Sequence, residues 1–328
     1  MSEPLLSICI PTYNRDKYLK ECLDSIVIQE CKDIEVVISD NASTDNTEAL
    51  ILEYSKKLNI RYQRFDSNQG FDINCTKVVS MATGRYCMIL GSDDCLLPDA
   101  IVNIKGLLDS AKPDILHYGY HQYNLTMETL LAVVTLPSQF AKIENLDDVA
   151  EYIKTLPNLS LSFAFISSFI FLRTRWPSFD QYQKWLGSQY VHLFCMHSMI
   201  NQGCTIKASE NAFVAARGGN INDATDKPGK ILNLDLITFR RIVTEVYSGN
   251  MNVQKSFSFV FKRSYTGKVL LYTFCFGGDE IINARHQELG YFMYGIYIFS
   301  FKIIELLKVK KVLKKFIEYK ANLKVKIQ

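Results

Sequence analysis

The sequence predicts an α/β protein: a mainly parallel, doubly wound sheet flanked by helices, with a helical C-terminal extension. Three observations predict it. Apolar runs of strand length alternate with helix-period segments through the first 112 residues. Three of those runs end in polar turns, which in an open parallel sheet gather at one edge, where ligands bind. Beyond Pro113 the alternation breaks, and from Phe239 to Gln328 the pattern is largely helical.

The elements follow in order. Leu6 to Ile10 is a buried strand that runs into Pro11-Thr12-Tyr13-Asn14. Tyr18, Leu19, Cys22, Leu23 and Ile26 then recur at helical spacing. Glu35 to Ser39 is a second strand, followed by Asp40-Asn41-Ala42-Ser43-Thr44-Asp45. Ser43 or Thr44 is expected to cap a helix that runs to about Leu58. Ile60 to Arg64 is a third strand and Asn68-Gln69-Gly70 a turn. A helix from about Ile73 to Met81 is expected to end on Gly84 as a C-cap glycine. Tyr86 to Leu90 is an apolar strand that delivers Gly91-Ser92-Asp93-Asp94, and Pro98 opens the next helix. Ile115 to Tyr123 reads as a strand and Asp147 to Leu156 as a short helix. Ser162 to Leu172 is too apolar for periodicity to decide, and Trp176 to Gly219 is rich in aromatics and histidine. The expected organisation is an α/β segment over 1–112, a second segment over 113–230 that completes the same domain, and a helical region with a basic tail over 231–328.

Composition narrows the class. A chain of 328 residues with 48% hydrophobic and 12% aromatic content has ample core for a globular enzyme. Nine scattered cysteines with no C-x-x-C pair argue against a disulfide framework or a zinc site and for a reducing cytosol. Met-Ser-Glu-Pro leads straight into a strand, so no signal peptide is expected, and no uncharged apolar stretch is long enough for a spanning helix. The net charge of +3 is unevenly spread: nine lysines and two glutamates give the last 28 residues +7.

The turns carry the chemistry. Two adjacent acids cannot lie inside a buried sheet, so Asp93 and Asp94 should stand just beyond its carboxyl end, a natural seat for a divalent cation holding a diphosphate. A helix cap is the bland reading of that pair. Tyr13 can stack on a base, Asp40 can accept from its N–H groups, and Asp93 and Asp94 can take the ribose hydroxyl and the metal. Three such turns on one edge outweigh three ordinary caps.

Residues 6–112 resemble the donor half of a family 2 glycosyltransferase, which has the GT-A fold. The residues that carry the resemblance are S-I-C-I-P-T-Y-N-R (7–15), I-S-D-N-A-S-T-D (38–45), N-Q-G-F-D-I-N (68–74), A-T-G-R-Y (82–86) and L-G-S-D-D-C-L-L-P-D (90–99). The resemblance implies inverting transfer of a sugar from a nucleoside diphosphate, with Mn²⁺ or Mg²⁺ on the diphosphate. It implies a donor site drawn from Pro11, Thr12, Tyr13, Asn14, Asp40, Asn41, Asp45, Gly70, Asn74 and Asp93, with Asp93 and Asp94 as metal residues.

The sequence departs from the family pattern in three places. The common metal motif is Asp-x-Asp-Asp, and position 91 is Gly. The Arg usual before Asn74 is Ile73, and Lys77, one turn on, is a possible substitute that reads equally as a surface lysine. The usual Glu-Asp pair that supplies the base is missing; counting back from Gly203 places His192 where the Asp would be. An imidazole with a pKa of about 6.5 can do the same deprotonation. His192 is equally readable as a partly buried helix residue, with Asp180 and His197 in reserve.

Arg217-Gly218-Gly219-Asn220 falls where the family often has a loop over the diphosphate, so Arg217 is a candidate phosphate ligand. Tyr182, Trp185 and Tyr190 are candidates for an acceptor-sugar platform or for core. In the tail, Phe292, Ile296, Phe299, Ile303, Leu306 and Leu307 recur at helical spacing beside the lysines, the profile of a helix on an anionic membrane surface. No nucleic-acid motif accompanies the charge.

The resulting expectation is an inverting glycosyltransferase, similar to the abequosyltransferase-like branch, at the inner face of a bacterial plasma membrane. It would build a surface polysaccharide such as O-antigen or capsule on an undecaprenyl-diphosphate-linked acceptor, with a 3,6-dideoxyhexose from a CDP-sugar as the donor. A sugar-nucleotide nucleotidyltransferase and a non-catalytic sugar- or lipid-binding module are the alternatives. The first would need a Gly-rich basic loop after the first strand, and Pro11-Thr12-Tyr13-Asn14 is not one.

Overall fold

The computed structural model describes residues 3–137, 143–219 and 228–264. The first four long strands are β1 (Leu6–Thr12), β2 (Ile34–Asp40), β3 (Ile60–Arg64) and β4 (Tyr86–Ile89). They pair in parallel in the order β3-β2-β1-β4, with Thr12 opposite Asp40 at the carboxyl edge. The sheet continues from β4 through β8 (Phe169–Leu172), β6 (Ile115–Tyr123), β9 (Ile206–Arg217) and β5 (Cys95–Leu96), with β7 (Leu130–Val134) on β6. The β4–β8, β8–β6, β6–β7 and β9–β5 pairs are antiparallel, so the sheet is mixed beyond β4.

The side-chain period of two divides the core into two layers. Leu6, Ile8 and Ile10 of β1 face a layer that holds Leu19, Cys22, Leu23 and Ile26 of α1 (Asp16–Val27). The same layer takes Ile51 of α2 (Thr47–Tyr54) and Ile101 and Ile104 of α4 (Ala100–Ala111). Cys9 of β1 faces the other layer, with Cys75, Val78 and Val79 of α3 (Phe71–Met81). That layer also contains α5 (Leu146–Thr155), α7 (Val191–Asn201), the described part of α8 (Pro228–Arg241), a π-turn over Ile242–Val246, and α9 (Met251–Ser264). A short α6 (Phe179–Tyr182) leads towards α7.

Several expected boundaries move, each for a local reason. The helix after β2 starts at Thr47 behind Asn46 and ends at Tyr54, because Ser43 is already engaged: its hydroxyl accepts from the Asn14 N–H at 2.9 Å. Gly84 is not a helix cap; α3 stops at Met81, with Ala82 as its C-cap. A Cβ at Gly84 would lie 2.6 Å from Ser7 Oγ and 2.8 Å from Ser7 N, so glycine is required there by the close approach to β1. Ser162 to Leu172 resolves into a 3₁₀ turn (Ile166–Ser168) and β8. The long strand β9 occupies part of the stretch that the sequence left unassigned. The basic tail lies outside the described residues. Among the described residues, no helix is long and apolar enough to cross a membrane.

Candidate active site

The three polar turns converge at the carboxyl edge and are stitched together. The Thr12 carbonyl accepts from Asn41 N–H (2.9 Å) and from the Asn74 side chain (3.1 Å). Asn14, held at φ +51°, accepts through Oδ1 from Thr44 N–H at 2.8 Å. Asp45 accepts from Asp16 N–H at 3.0 Å and Thr47 N–H at 3.1 Å. Asn41 also reaches a fourth turn, the one after β3, donating to Asn68 Oδ1 (2.8 Å) and the Gly70 carbonyl (3.3 Å). Tyr13, beside Pro11 and Thr12, stands out at 42% exposure, a ring free to stack. Asp40 is fully buried and already accepts from Ser43 N–H (2.9 Å) and Tyr62 O–H (3.1 Å), with Arg64 at 3.6 Å. In this arrangement Asp40 holds its own loop in shape, and a base would reach its carboxylate only if that loop shifted. Lys77 is half-buried on α3.

The two acids are not equivalent. A Cβ at Gly91 would lie 2.8 Å from Asp94 Oδ2 and 3.1 Å from Asp93 Oδ1, so a side chain at 91 would displace the carboxylates that fold back over the turn. Asp94 is buried: it accepts from Ser167 Oγ at 2.6 Å and from Arg217 N–H at 3.1 Å. Burial, reinforced by the neighbouring Asp93, raises its pKa to about 7. Asp93 keeps its carboxylate 24% exposed and accepts from Arg15 at 2.8 Å. Arg15 stands in the quoted motif, but the sequence reading gave it no role.

Arg217 is the last residue of β9 and is buried, not part of a loop over a diphosphate. Its guanidinium donates to the carbonyls of Asp93 (3.0 Å) and Leu125 (2.6 Å) and to Glu21 (2.5 Å), and lies on the Tyr18 ring. It braces the acid turn from behind. Gly218 and Gly219 follow it, and Asn220 lies outside the described residues.

A cavity of about 900 Å³ opens beside this edge, between the turn at Gly70 and the 3₁₀ turn at Ile166. Its wall includes Phe71, Asp72, Ile73, Phe165, Ile166, Leu186, Tyr190, His192 and Leu234. Ser167, next to Ile166, ties the cavity wall to Asp94 and accepts from Gly91 N–H at 2.9 Å.

His192 reaches the cavity from the first turn of α7 and is buried against Phe71 and Phe169. Its Nε2 is 3.2 Å from the Ala164 carbonyl. A carbonyl only accepts, so that contact fixes the Nε2–H tautomer and leaves a lone pair on Nδ1. Nδ1 has no partner among the described residues. Burial lowers the pKa to about 4, against a smaller upward pull from Ala164. The imidazole is therefore neutral at pH 7 and able to accept a proton.

The reserves lie elsewhere. His197 is wholly buried between Tyr247 O–H (3.0 Å) and the Ser162 carbonyl (3.2 Å), and Asp180 is on exposed α6. Of the three aromatic candidates, only Tyr190 lines the cavity; its hydroxyl donates to Asp235. Tyr182 packs partly buried against the core. Trp185 is core: it stacks on Phe194 (5.0 Å between centroids) and donates to Glu245 at 2.9 Å, so its ring is not a sugar platform here.

Two buried acids were missed by the sequence reading. Asp72 accepts from the N–H groups of Gln189 (2.9 Å) and Val191 (3.2 Å), and Asp235 from Tyr190. Burial raises both pKa values, that of Asp235 to about 6. Asp72 sits in the quoted N-Q-G-F-D-I-N stretch, but nothing local shows that it faces α7.

Comparison with known proteins decides the family. Residues 7–145 match the Glycosyl transferase family 2 domain. The chain is 34% identical over 291 residues to the abequosyltransferase RfbV of Salmonella typhimurium, covering 84% of this chain and 86% of that protein. The chain belongs to glycosyltransferase family 2. A further relative is a PGL/p-HBAD biosynthesis glycosyltransferase of Mycobacterium tuberculosis, 36% identical over 36% of this chain and 47% of its own length.

Solved structures carry the same GT-A-like fold as this family 2 glycosyltransferase. Staphylococcus aureus TarS 1–349 superposes with a TM-score of 0.58 at 16% identity, covering 87% of this chain and 80% of TarS. The mannosyltransferase PcManGT of Pyrobaculum calidifontis, solved with GDP-Man and Mn²⁺, superposes with a TM-score of 0.55 at 14% identity, covering 99% and 87%. Membership excludes the nucleotidyltransferase and the non-catalytic module as readings of this chain.

The acid turn of this family 2 enzyme suits a hard cation that shares its ligands with a diphosphate. Mg²⁺ and its like are held by one or two carboxylates plus phosphate oxygens, not by an all-protein cage. Among the described residues no three His, Cys, Asp or Glu side chains cluster as a metal cage. Asp93 presents one exposed carboxylate that already carries a cation, the Arg15 guanidinium.

Proposed function

We propose that this glycosyltransferase inverts the anomeric centre of a nucleoside-diphosphate sugar, with His192 as the general base and Asp93 as the residue that holds a divalent cation. The observation that carries the reading is one connection. The acid turn is tied through Ser167 to the wall of the cavity that His192 lines, and the His192 ring keeps a buried Nδ1 with no partner among the described residues.

Displacement at the anomeric carbon develops oxocarbenium character, and the acceptor hydroxyl must lose its proton. His192 Nδ1 takes that proton, and the Ala164 carbonyl stabilises the imidazolium at Nε2–H. A divalent cation bound at Asp93 would supply Lewis-acid stabilisation of the leaving diphosphate. Tyr13 stacks on the base, and Asn14, Asn41, Asp45, Gly70 and Asn74 hold the turns that shape the pocket. Asp94 and Arg217 support the acid turn from behind.

The walls favour a sugar poor in hydroxyls. Phe71, Ile73, Phe165, Ile166, Leu186 and Leu234 are apolar, and a missing hydroxyl leaves nothing unpaired against them. A 3,6-dideoxyhexose from a CDP-sugar fits that surface, and the Salmonella typhimurium relative is an abequosyltransferase. The acceptor is a saccharide on undecaprenyl diphosphate in O-antigen or capsule assembly. The lysine-rich tail attaches the enzyme to the anionic inner face of the plasma membrane, a reading that rests on sequence alone.

A thermal-shift panel of UDP-, GDP-, CDP- and dTDP-sugars with and without Mn²⁺ tests this, because a ligand raises the melting temperature by mass action. The expected result is the largest shift with a CDP-sugar plus Mn²⁺. Equal shifts with and without metal would overturn the metal assignment, and no shift with any donor would overturn the donor site.

A further inference from the structure

The geometry points to Arg15 as a built-in counter-cation that holds Asp93 when no donor is bound and moves to the diphosphate when metal and nucleotide arrive together. The inference rests on the reading of Asp93 as the metal-holding residue.

Four observations carry it. The Arg15 guanidinium lies 2.8 Å from Asp93 Oδ2, with both side chains partly exposed, at 16% and 24%. The acid turn itself is pinned. Arg217 holds the Asp93 carbonyl and, through its N–H, the Asp94 carboxylate, while Ser167 holds the other Asp94 oxygen. The turn is therefore held by contacts that do not involve Arg15. Arg15 precedes α1, and the guanidinium at the end of its long side chain lies 5.8 Å from the centroid of the Tyr18 ring, the ring that Arg217 approaches to 4.7 Å. Finally, Asp94 is spent on Ser167 and Arg217, so a cation at this edge gains one carboxylate whose charge Arg15 already offsets.

The energetic consequence is coupling. A lone divalent ion must compete with the guanidinium for Asp93. A nucleoside diphosphate removes that competition by offering oxygens to the metal and a bidentate anionic partner to Arg15. Metal and nucleotide thus strengthen each other's binding, and by linkage the effect is reciprocal. Arg15 also supplies the cationic group that Ile73 does not.

The test is Mn²⁺ binding, followed by the electron paramagnetic resonance signal of free Mn²⁺, with Mn²⁺ alone and with saturating CDP or UDP. In the native chain, Mn²⁺ alone should bind at least tenfold more weakly than with the preferred nucleotide. Arg15→Gln should bind Mn²⁺ alone several-fold more tightly and lose most of the coupling. Arg15→Lys, which keeps a cation at the position, should retain weak binding of Mn²⁺ alone. Circular dichroism would check that each variant is folded. An Arg15→Gln protein with unchanged or weaker affinity for Mn²⁺ alone would overturn the exchange, and so would an Arg15→Lys protein that behaves like it. Asp93→Asn separates the two readings. If it binds Mn²⁺ with CDP as tightly as the native chain, the metal assignment fails and takes this inference with it.

Discussion

The Asp72 carboxylate of α3 accepts from the backbone N–H of Val191, 3.2 Å away, at the first residue of α7. The same carboxylate accepts from Gln189 N–H at 2.9 Å, so one residue from a different helix caps α7 immediately before His192. Anionic caps stabilise a helix N-terminus by satisfying its free N–H groups and by the dipole. The helix that follows the Gly70 turn and the helix that carries the candidate base are thereby hydrogen-bonded to each other through Asp72.

Replacing that cap should loosen the base as well as the fold. Asp72→Ala is expected to cost about 1–2 kcal/mol, the usual value of a lost cap. Asp72→Asn, which keeps an acceptor oxygen, should cost less. Urea denaturation of the two variants checks the order; equal stability of Ala and native chains would contradict the capping role.

His192→Ala should lower kcat by about 10²–10⁴, the range for a lost general base, while donor binding measured by thermal shift stays near native. Initial rates with the donor identified by the nucleotide panel provide the measurement. Full turnover by this variant would remove His192 from the mechanism.

The two acids should separate cleanly. Asp93→Ala removes a partly exposed carboxylate, so its stability cost should stay within about 1 kcal/mol, as for exposed ion pairs, while the Mn²⁺-dependent thermal shift disappears. Asp94→Ala leaves Ser167 and Arg217 N–H without their acceptor and should destabilise by about 1–3 kcal/mol. Gly91→Ala should also destabilise, because its Cβ meets Asp94 Oδ2 at 2.8 Å. Chemical denaturation and metal titration of the three variants, run together, give the pattern.

Acid should unfold the protein through its histidines. Burial lowers the pKa values of His117 and His197 to about 3 and of His192 to about 4. Unfolded imidazoles titrate near about 6.5, so below that pH the unfolded chain takes up protons that the fold refuses, and stability falls as pH falls. Each histidine contributes a slope of about 1.4 kcal/mol per pH unit in that window. Asp94 and Asp235, raised to about 7 and about 6, act in the opposite sense, because the fold protonates them before the unfolded chain does. The net loss should therefore be gradual, about one proton's worth of slope from about pH 6 downward, and the histidine contribution should end near pH 3, where the folded imidazoles take up their protons too. Melting temperature against pH checks this, and a flat profile from pH 7 to 3.5 would contradict it.

Much of this architecture was legible because its signals are local. Strands β1, β2 and β4 are buried apolar runs, and the turns after them carry their polar residues in sequence order. What was missed depends on distant partners. Strand β9 owes its place to β6, whose pairing with it shifts register around Gly119. Trp185 and Tyr190 lie five residues apart in a stretch that sequence read as one platform. One is stacked on Phe194 and the other lines the cavity, a division set by Glu245 and Asp235 on the C-terminal helical segment.

The sequence by itself determined the α/β alternation, the sheet edge where the turns gather and the family pattern that identifies a glycosyltransferase. These follow from hydrophobic period and from short motifs whose residues are neighbours in the chain. Only the tertiary structure decided which acid faces solvent. Asp94 is held by Ser167 and Arg217, 73 and 123 residues away, and Asp93 by Arg15, 78 residues before it. Two adjacent carboxylates with the same intrinsic chemistry acquire different roles because burial and hydrogen bonding come from chain segments that no local pattern connects.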